Sequence, residues 1–376
     1  MNNAHLIDIQ HMQAALGLAR RGLGRVAPNP AVGCVLVRPD LDGRVVGRGW
    51  TQSGGRPHAE TEALRRAGLL AQNATAYVTL EPCSHTGETS PCANALIAAQ
   101  IKRVVIAMQD PDPRVSGRGI AKLKDAGIDI SLGVLELEAK KVNIGFIHKI
   151  QFGRPYFSCK TATSLDGKIA TADGHSKWIT GTDARQTGHL LRATHDAIIV
   201  GIGTALADDP DLTCRLPGLN HVSPIRIVID SQLRLPQSHK LVTSARQHET
   251  WVCTTKNSDT NRTAALAEAG VIVLECDACS DKRIDIKKLA QMLAEKGLTR
   301  VVIEGGAQVS SSFLNHDLVD HIYWFRAPKI IGGDGLPTAL SLNISKIDDT
   351  RAFTQQGTYD IGPDKCEVYY RNRERI

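Results

Sequence analysis

Apolar positions along this chain follow two alternating periods. Short runs rich in Val, Ile and Ala, bounded by Gly, Pro or Asp, read as buried strands at 31–37, 76–80 and 103–108 in the first half. Residues 47–51 are placed to pair with the first of them as a hairpin. Between these runs, apolar residues recur at helical spacing over 9–21, 57–70, 92–100 and 120–126. Pro57 and Pro91 stand where two of these helices open, a position that tolerates proline. Around 146–155 the pattern restarts, and Gly153-Arg154-Pro155 marks a boundary. A second series follows, with strands at 156–160, 196–200, 225–230, 251–254, 271–274, 300–304 and 321–325. Helical spacing covers 182–195, 284–296 and 308–315. Strand–helix alternation of this kind predicts largely parallel sheets covered by helices. A chain of 376 residues is long for one core, so two α/β domains are expected, 1–150 and 151–376. There is no internal repeat and no low-complexity segment.

Composition narrows the class. The net charge of +6 is modest and no long Lys/Arg block occurs, which suits a phosphorylated small molecule better than a nucleic acid. No apolar run reaches the roughly 18 residues of a membrane span. Residues 1–10 lack the basic-then-apolar layout of a secretory leader. The nine cysteines are scattered and odd in number, which fits a reducing cytoplasm better than a disulfide framework.

The densest chemistry lies in the first half. His58-Ala59-Glu60 is followed by Pro82-Cys83 and Pro91-Cys92. One imidazole and two thiolates can hold zinc and leave its fourth position open for water. Zinc lowers the pKa of that water from 15.7 to about 7. A carboxylate two residues from the imidazole can then move protons without being a ligand, which is the zinc-deaminase pattern. The common form has two residues between the cysteines, whereas here eight intervene. The competing reading is a buried thiol pair beside a surface histidine. Both ligand segments are expected at helix N-termini, with His58 and Glu60 inside a first turn. There the unpaired amides should favour the Cys92 thiolate and an ionised Glu60.

In the second half, Val301-Val302-Ile303-Glu304-Gly305-Gly306-Ala307 reads as a buried strand, a glycine turn and a helix start. Such a turn lets a phosphate approach backbone amides. It is not a Gly-x-Gly-x-x-Gly fingerprint, and a plain strand-to-helix turn accounts for it equally well. Ser164-Leu165-Asp166-Gly167-Lys168, Ser176-Lys177-Trp178, Asp208-Asp209-Pro210 and Leu212-Thr213-Cys214-Arg215 fall in loops of the kind that carry binding groups. Ordinary turns and a core tryptophan are the plainer explanations.

With these residues in view, the chain strongly resembles, over nearly its whole length, the bacterial bifunctional riboflavin-biosynthesis enzymes, in which a pyrimidine deaminase is fused to a pyrimidine reductase. The resemblance rests on Ala27-Pro28-Asn29-Pro30-Ala31-Val32-Gly33, His58-Ala59-Glu60, Glu81-Pro82-Cys83-Ser84-His85 and Asp110-Pro111-Asp112-Pro113. It continues through Ser164-Leu165-Asp166-Gly167-Lys168, Ala207-Asp208-Asp209-Pro210 and Glu304-Gly305-Gly306. The eight-residue gap between the cysteines is typical of that family.

The resemblance implies a cytidine-deaminase-like α/β/α domain followed by a dihydrofolate-reductase-like α/β domain. It implies deamination of 2,5-diamino-6-(5-phosphoribosylamino)pyrimidin-4-one and then NADPH-dependent reduction of its ribosyl group to ribityl. By that pattern His58, Cys83 and Cys92 bind zinc, Glu60 shuttles protons and Asn29 touches the pyrimidine. Ala162, Trp178, Thr204, Asp208, Ser231, Gly306, Ala307 and Gln308 line the NADPH surface. Ser176, Arg192, Leu212, Arg215 and Glu304 contact substrate, with Lys160 as the proton source for ring opening. The two arginines also suit a phosphate on physical grounds, since guanidinium pairs well with it. A homo-oligomer, dimer or tetramer, is expected, with no nucleic-acid or membrane partner.

One departure stands out. Where the family usually carries a basic residue, this chain has Glu88, in Gly87-Glu88-Thr89-Ser90-Pro91-Cys92. Lys102, Arg103 and Arg114 are the cations weighed as replacements. Two other readings compete with a double enzyme. One is a deaminase with a degenerate second half. The other is a structural zinc protein that binds RNA, which requires a closed four-ligand site and more aromatics than 4%.

Overall fold

A computed structural model describes residues 3–84, 90–113, 115–256 and 258–371. The chain divides into two compact units, Met1–Gly153 and Arg154–Ile376.

The first unit runs α1 (Asn3–Ala19), β1 (Gly33–Arg38), β2 (Arg44–Trp50), α2 (Ala59–Ala67), β3 (Thr75–Val78), α3 (Cys92–Ala98), β4 (Arg103–Ile106), α4 (Arg118–Asp125), β5 (Asp129–Leu132), α5 (Glu136–Val142) and α6 (Ile144–Phe152). Its sheet has the order β2-β1-β3-β4-β5. β1 is antiparallel to β2 and β3, while β3, β4 and β5 run parallel. Glycines set the helices close on both faces. A Cβ on Gly33 of β1 would fall on the Ala15 carbonyl of α1. A Cβ on Gly49 or Gly47 of β2 would fall on the carbonyls of Ala59 or Ala63 of α2. Ala59, Ala63 and Ala67 therefore form the stripe by which α2 lies flush on β2, since residues four apart share a helix face. α1 packs on α5 on one face, and α2, α3 and α4 pack on one another in turn on the other, giving three layers.

The second unit runs β6 (Tyr156–Thr163), β7 (Lys168–Ala170), α7 (Thr182–Thr194), β8 (Ala197–Gly201), α8 (Ile202–Asp208), β9 (Ile225–Ile229), α9 (Lys240–Thr243), β10 (Thr250–Thr255), α10 (Thr260–Glu268) and β11 (Ile272–Cys276). It continues with α11 (Ile286–Glu295), β12 (Arg300–Ile303), α12 (Ala307–Asn315), β13 (His321–Arg326), β14 (Leu336–Pro337), β15 (Thr354–Ile361) and β16 (Asp364–Tyr370). The main sheet has nine strands in the order β11-β10-β9-β8-β12-β6-β13-β16-β15. The first seven in that order are parallel, and β16 and β15 complete it as an antiparallel hairpin. The central strands are buried on both faces, which explains their continuous apolar runs. Ile199, Ile227 and Ile303 pack in one cluster, and Ile198, Val200, Val228 and Val302 in another. Asp259 and Asp285 cap α10 and α11 by accepting two backbone N–H bonds each.

The strands expected from apolar runs are present. The C-terminal hairpin, β5, β7, β14, α5, α6, α8, α9 and α10 are additions that the apolar pattern does not show. The stretch from Asp208 to Asp209, expected to be loop, begins as the last turn of α8. Among the described residues no helix is long and apolar enough to cross a membrane.

Candidate active sites

The zinc-ligand candidates converge. His58 is the N-cap of α2, one position before the first turn in which it was expected, and Glu60 lies inside that turn. Cys83 follows β3 and Cys92 begins α3. The His58 Nδ1 lies 3.3 Å from the Cys92 Sγ and 3.6 Å from the Cys83 Sγ, and all three ligand atoms fall within 4.8 Å of one another. Tetrahedral zinc with ordinary Zn–S and Zn–N bonds puts N and S about 3.6 Å apart, so the donors fit the ion. Among the described residues no fourth His, Cys, Asp or Glu joins this group.

Charge at the site departs from expectation at both Cys92 and Glu60, whose ionised forms were expected to be favoured and are instead disfavoured. The first amide of α3, that of Cys92, donates to the Cys83 Sγ at 3.3 Å. The helix start therefore favours the thiolate of Cys83, not that of Cys92, because the amide points away from its own side chain. Hydrogen bonding from Cys92 draws Cys83 down to about 4 against the cost of burial, and the same contact pushes Cys92 upward. Glu60, 4% exposed, is pushed up to about 7 by burial and then by the Cys83 charge. That range suits a group that must both take and return a proton near neutrality.

Two supports hold this constellation. Gly55 has φ +86°, and a Cβ there would strike the Asn29 side-chain amide, so the 52–57 loop and Asn29 pack directly ahead of His58. Glu81, two residues before a ligand and 3% exposed, accepts backbone N–H bonds from Asp110, Gly117, Gly119 and Ile120. Its carboxylate thus fixes the start of α4 against Pro82. Its role runs through backbone groups, so residue type alone did not single it out.

Glu88 and Arg114 lie outside the described residues. Lys102 and Arg103 do not replace a cation near Cys92. Arg103 pairs with Thr75 at the amino ends of parallel β3 and β4, whereas Cys83 follows the carboxyl end of β3. Arg103 is also committed to Asp8 by two hydrogen bonds of 2.9 and 2.7 Å.

In the second unit, Glu304 follows β12 with its side chain 8% exposed. Arg192 of α7 grips it with Nε and Nη2, each at 2.9 Å, and donates Nη1 to the Thr213 carbonyl at 3.1 Å. The Lys160 Nζ, from β6, lies 3.7 Å from the same carboxylate. Burial would raise Glu304, but Arg192 and Lys160 outweigh it and hold the acid down at about 2. Arg192 thus spends three nitrogens within the protein. Arg215 is the freer cation, with its side chain 54% exposed and a loose 3.4 Å pairing to Asp211.

Several of the other candidates follow the carboxyl ends of parallel strands β8, β9 and β12, where open α/β sheets bind ligands. The Gly306 amide donates to the Thr204 Oγ1 at 3.1 Å, which joins the start of α12 to α8. Ala307 and Gln308 open α12, so their amides have no helical acceptor and fit a cofactor phosphate. A Cβ on Gly305 would crowd Val309 at 2.8 Å, so the turn requires glycine. Ala162 shares a strand face with Lys160, two residues away on β6. Asp208 ends α8, and Ser231 follows β9 with its carbonyl accepting from the Thr255 Oγ1. Leu212 is buried at φ +56°. Ser176 and Trp178 lie between β7 and α7, with Arg185 stacked 4.5 Å over the Trp178 ring. Ser176, Asp208 and Ser231 share no hydrogen bond with the Arg192–Glu304 cluster in the described structure. His189, beside that cluster, was not anticipated.

Known proteins resemble both halves. Residues 7–108 match the cytidine and deoxycytidylate deaminase zinc-binding region, and residues 155–366 match the RibD C-terminal domain. The riboflavin biosynthesis protein RibD of Escherichia coli is 41% identical over 96% of this chain and 98% of its own length. That of Aquifex aeolicus is 40% identical over 97% and 99%. The structure of Acinetobacter baumannii RibD, form 1, superposes with a TM-score of 0.87 at 38% identity, covering 97% of this chain and 99% of that one. A Thermotoga maritima structure described as a diaminohydroxyphosphoribosylaminopyrimidine deaminase/5-amino-6-(5-phosphoribosylamino)uracil reductase gives 0.85 at 34%, covering 98% and 100%. This chain belongs to the RibD family of riboflavin-biosynthesis enzymes, and it joins a zinc-dependent deaminase to an NADPH-dependent reductase.

Proposed function

We propose that residues 1–150 deaminate 2,5-diamino-6-(5-phosphoribosylamino)pyrimidin-4-one and that residues 151–376 reduce the ribosyl group of the product. The final product would be 5-amino-6-(5-phosphoribitylamino)uracil. The observation that carries this reading is the presence of two complete constellations in two separate cores. One is the His58–Cys83–Cys92 triangle beside buried Glu60, and the other is the Glu304 cluster beside the Gly306 turn. The wording of the Thermotoga relative supports the substrate choice.

In the deaminase half, His58, Cys83 and Cys92 would hold zinc, which would supply the Lewis acidity that makes water nucleophilic at neutral pH. Glu60 takes the proton of the attacking water on a carboxylate oxygen and returns it to the departing amine. Asn29, fixed by the Gly55 loop, hydrogen-bonds the pyrimidine edge. In the reductase half, NADPH, when bound, would supply the hydride that reduces the ribosyl C1′. Ala162, Trp178, Thr204, Asp208, Ser231 and the start of α12 at Gly306, Ala307 and Gln308 form its surface. Lys160 delivers a proton to the furanose ring oxygen as the ring C–O bond opens, and Glu304 holds the ammonium in place. Ser176, Arg192, Leu212 and Arg215 hold the substrate, with Arg215 the principal phosphate cation. The unpaired cysteines support a cytoplasmic setting, and sedimentation reads whether the chain is the inferred homo-oligomer.

The test follows ammonia and NADPH separately with the diaminopyrimidine as substrate. One ammonia released per NADPH oxidised is expected. Ammonia without NADPH oxidation would leave a single-activity deaminase. Neither signal from zinc-loaded protein would defeat the reading.

A further inference from the structure

Helix α7 presents His189 and Arg192, three residues apart and so on one face, toward the 211–215 segment. The half-buried His189 directs Nδ1 at two groups of opposite kind. It lies 3.2 Å from the Thr213 carbonyl oxygen and 3.3 Å from the Arg215 backbone N–H. One nitrogen cannot serve both, because a bare Nδ1 accepts and a protonated Nδ1 donates. The Thr213 oxygen already receives the Arg192 Nη1 at 3.1 Å. In the neutral ring with its proton on Nε2, Nδ1 accepts from the Arg215 amide; with a proton on Nδ1 the ring instead donates to the Thr213 oxygen as its second donor.

We propose that His189 is a positioning residue of the reductase site: its neutral imidazole anchors the Arg215 backbone and aims that guanidinium at the substrate phosphate, and protonation releases the anchor. This rests on the reading of the 212–215 segment as a substrate contact. The charges facing the ring are Arg192 from its own helix, Arg215 and Asp211 from the opposing segment, and Glu304 from the end of β12. Burial, then Arg192 and Arg215, disfavour the imidazolium and outweigh the Thr213 hydrogen bond and Glu304, which favour it. The ring therefore stays neutral through the physiological range and switches only on acidification. When it does, Nδ1–H turns to the Thr213 oxygen and the Arg215 amide loses its acceptor.

The experiment uses the full zinc-loaded chain with saturating NADPH and the deaminated intermediate, over pH 5.5 to 8. His189→Leu removes the acceptor and should raise KM about fivefold at pH 7.5 with little change in kcat, the size of one lost hydrogen bond. His189→Asn places an amide oxygen near the Nδ1 position and cannot titrate. It should restore the KM at pH 7.5 and flatten the rise in KM that the natural protein shows in acid. The substrate phosphate also titrates near pH 6, but it does so equally for every variant, so the difference between profiles reads His189. Arg215→Gln serves as the reference. A raised KM for Arg215→Gln together with an unchanged KM for His189→Leu would overturn the anchor alone. Parallel pH profiles for the natural protein and His189→Asn would overturn the switch. An unchanged KM for Arg215→Gln would overturn the underlying placement of the substrate.

Discussion

The zinc centre and the reductase site are built on opposite plans. The outermost candidate metal ligands are 34 residues apart in sequence, and two helix starts and the segment after a strand carry all three. Their supports are close backbone packing at Gly47 and Gly49, the Asn29 side chain against Gly55, and a carboxylate that accepts from backbone amides, that of Glu81. The reductase candidates run from Lys160 to Gln308 and come from β6, α7, α8, α12 and the loops between. One buried ionic cluster, Arg192–Glu304–Lys160, joins several of these elements. Loss of a ligand in the first plan should therefore remove the metal from an otherwise standing fold. Loss of the hub charge in the second should loosen the fold itself.

The largest expected effect is on the metal. Cys83→Ser should cost more than the 10- to 100-fold in zinc affinity that loss of an outer-sphere partner brings. Elemental analysis after dialysis against a weak chelator checks this, and full occupancy would remove Cys83 from the ligand set. Next in size, Glu304→Gln leaves the Arg192 guanidinium buried without its counter-charge. Breaking a buried pair in this way costs about 3–5 kcal/mol, which denaturant unfolding should show in the second unit. A change below about 1 kcal/mol would mean that the cluster is not the hub described.

Smaller, and graded, is an acid effect in the same unit. His195 is 1% exposed, with Nδ1 2.7 Å from the Leu191 carbonyl and Nε2 2.9 Å from the Ser158 hydroxyl. Burial and then Arg300 push its pKa down to about 3, and His321 is pushed down to about 4 chiefly by burial. The unfolded chain then binds more protons than the folded one below pH 6.5, so stability falls as pH falls. His195 alone contributes up to about 1.4 kcal/mol per pH unit until its folded pKa is reached. Calorimetry between pH 7.5 and 5 should show the second unit melting progressively earlier. A flat midpoint would place these imidazoles in water.

What was legible in the sequence follows the same contrast. The metal ligands were readable because each is a distinctive residue type next to proline at a short spacing. The doubly buried strands were readable as apolar runs. The β15–β16 hairpin was not, because β15 lies at the sheet edge and is mostly exposed, so its residues 354–361 carry no apolar period. α8 was hidden by the Asp208-Asp209-Pro210 turn that ends it. Glu81 stood out only as part of a family motif, with no role of its own, and His189 not at all, for a further reason. Each works through backbone groups brought in by the fold, some 29 to 39 residues away for Glu81 and 24 to 26 for His189. The reductase candidates were readable only through resemblance to a family, since no local spacing links Lys160, Arg192 and Glu304.

The central claim is that two chemistries occupy two independently built sites, and Glu60→Gln tests it most directly. Gln keeps the size of the side chain but cannot take and return a proton, and Glu60 is not a ligand in the His58–Cys83–Cys92 set. General acid–base assistance is typically worth 10²- to 10⁴-fold. The purified variant should keep its zinc and lose ammonia release from the diaminopyrimidine by that factor. It should still oxidise NADPH at the natural rate when given the deaminated intermediate. Near-normal ammonia release would take Glu60 out of the mechanism, and parallel loss of both activities in folded, zinc-loaded protein would contradict the independence of the two sites.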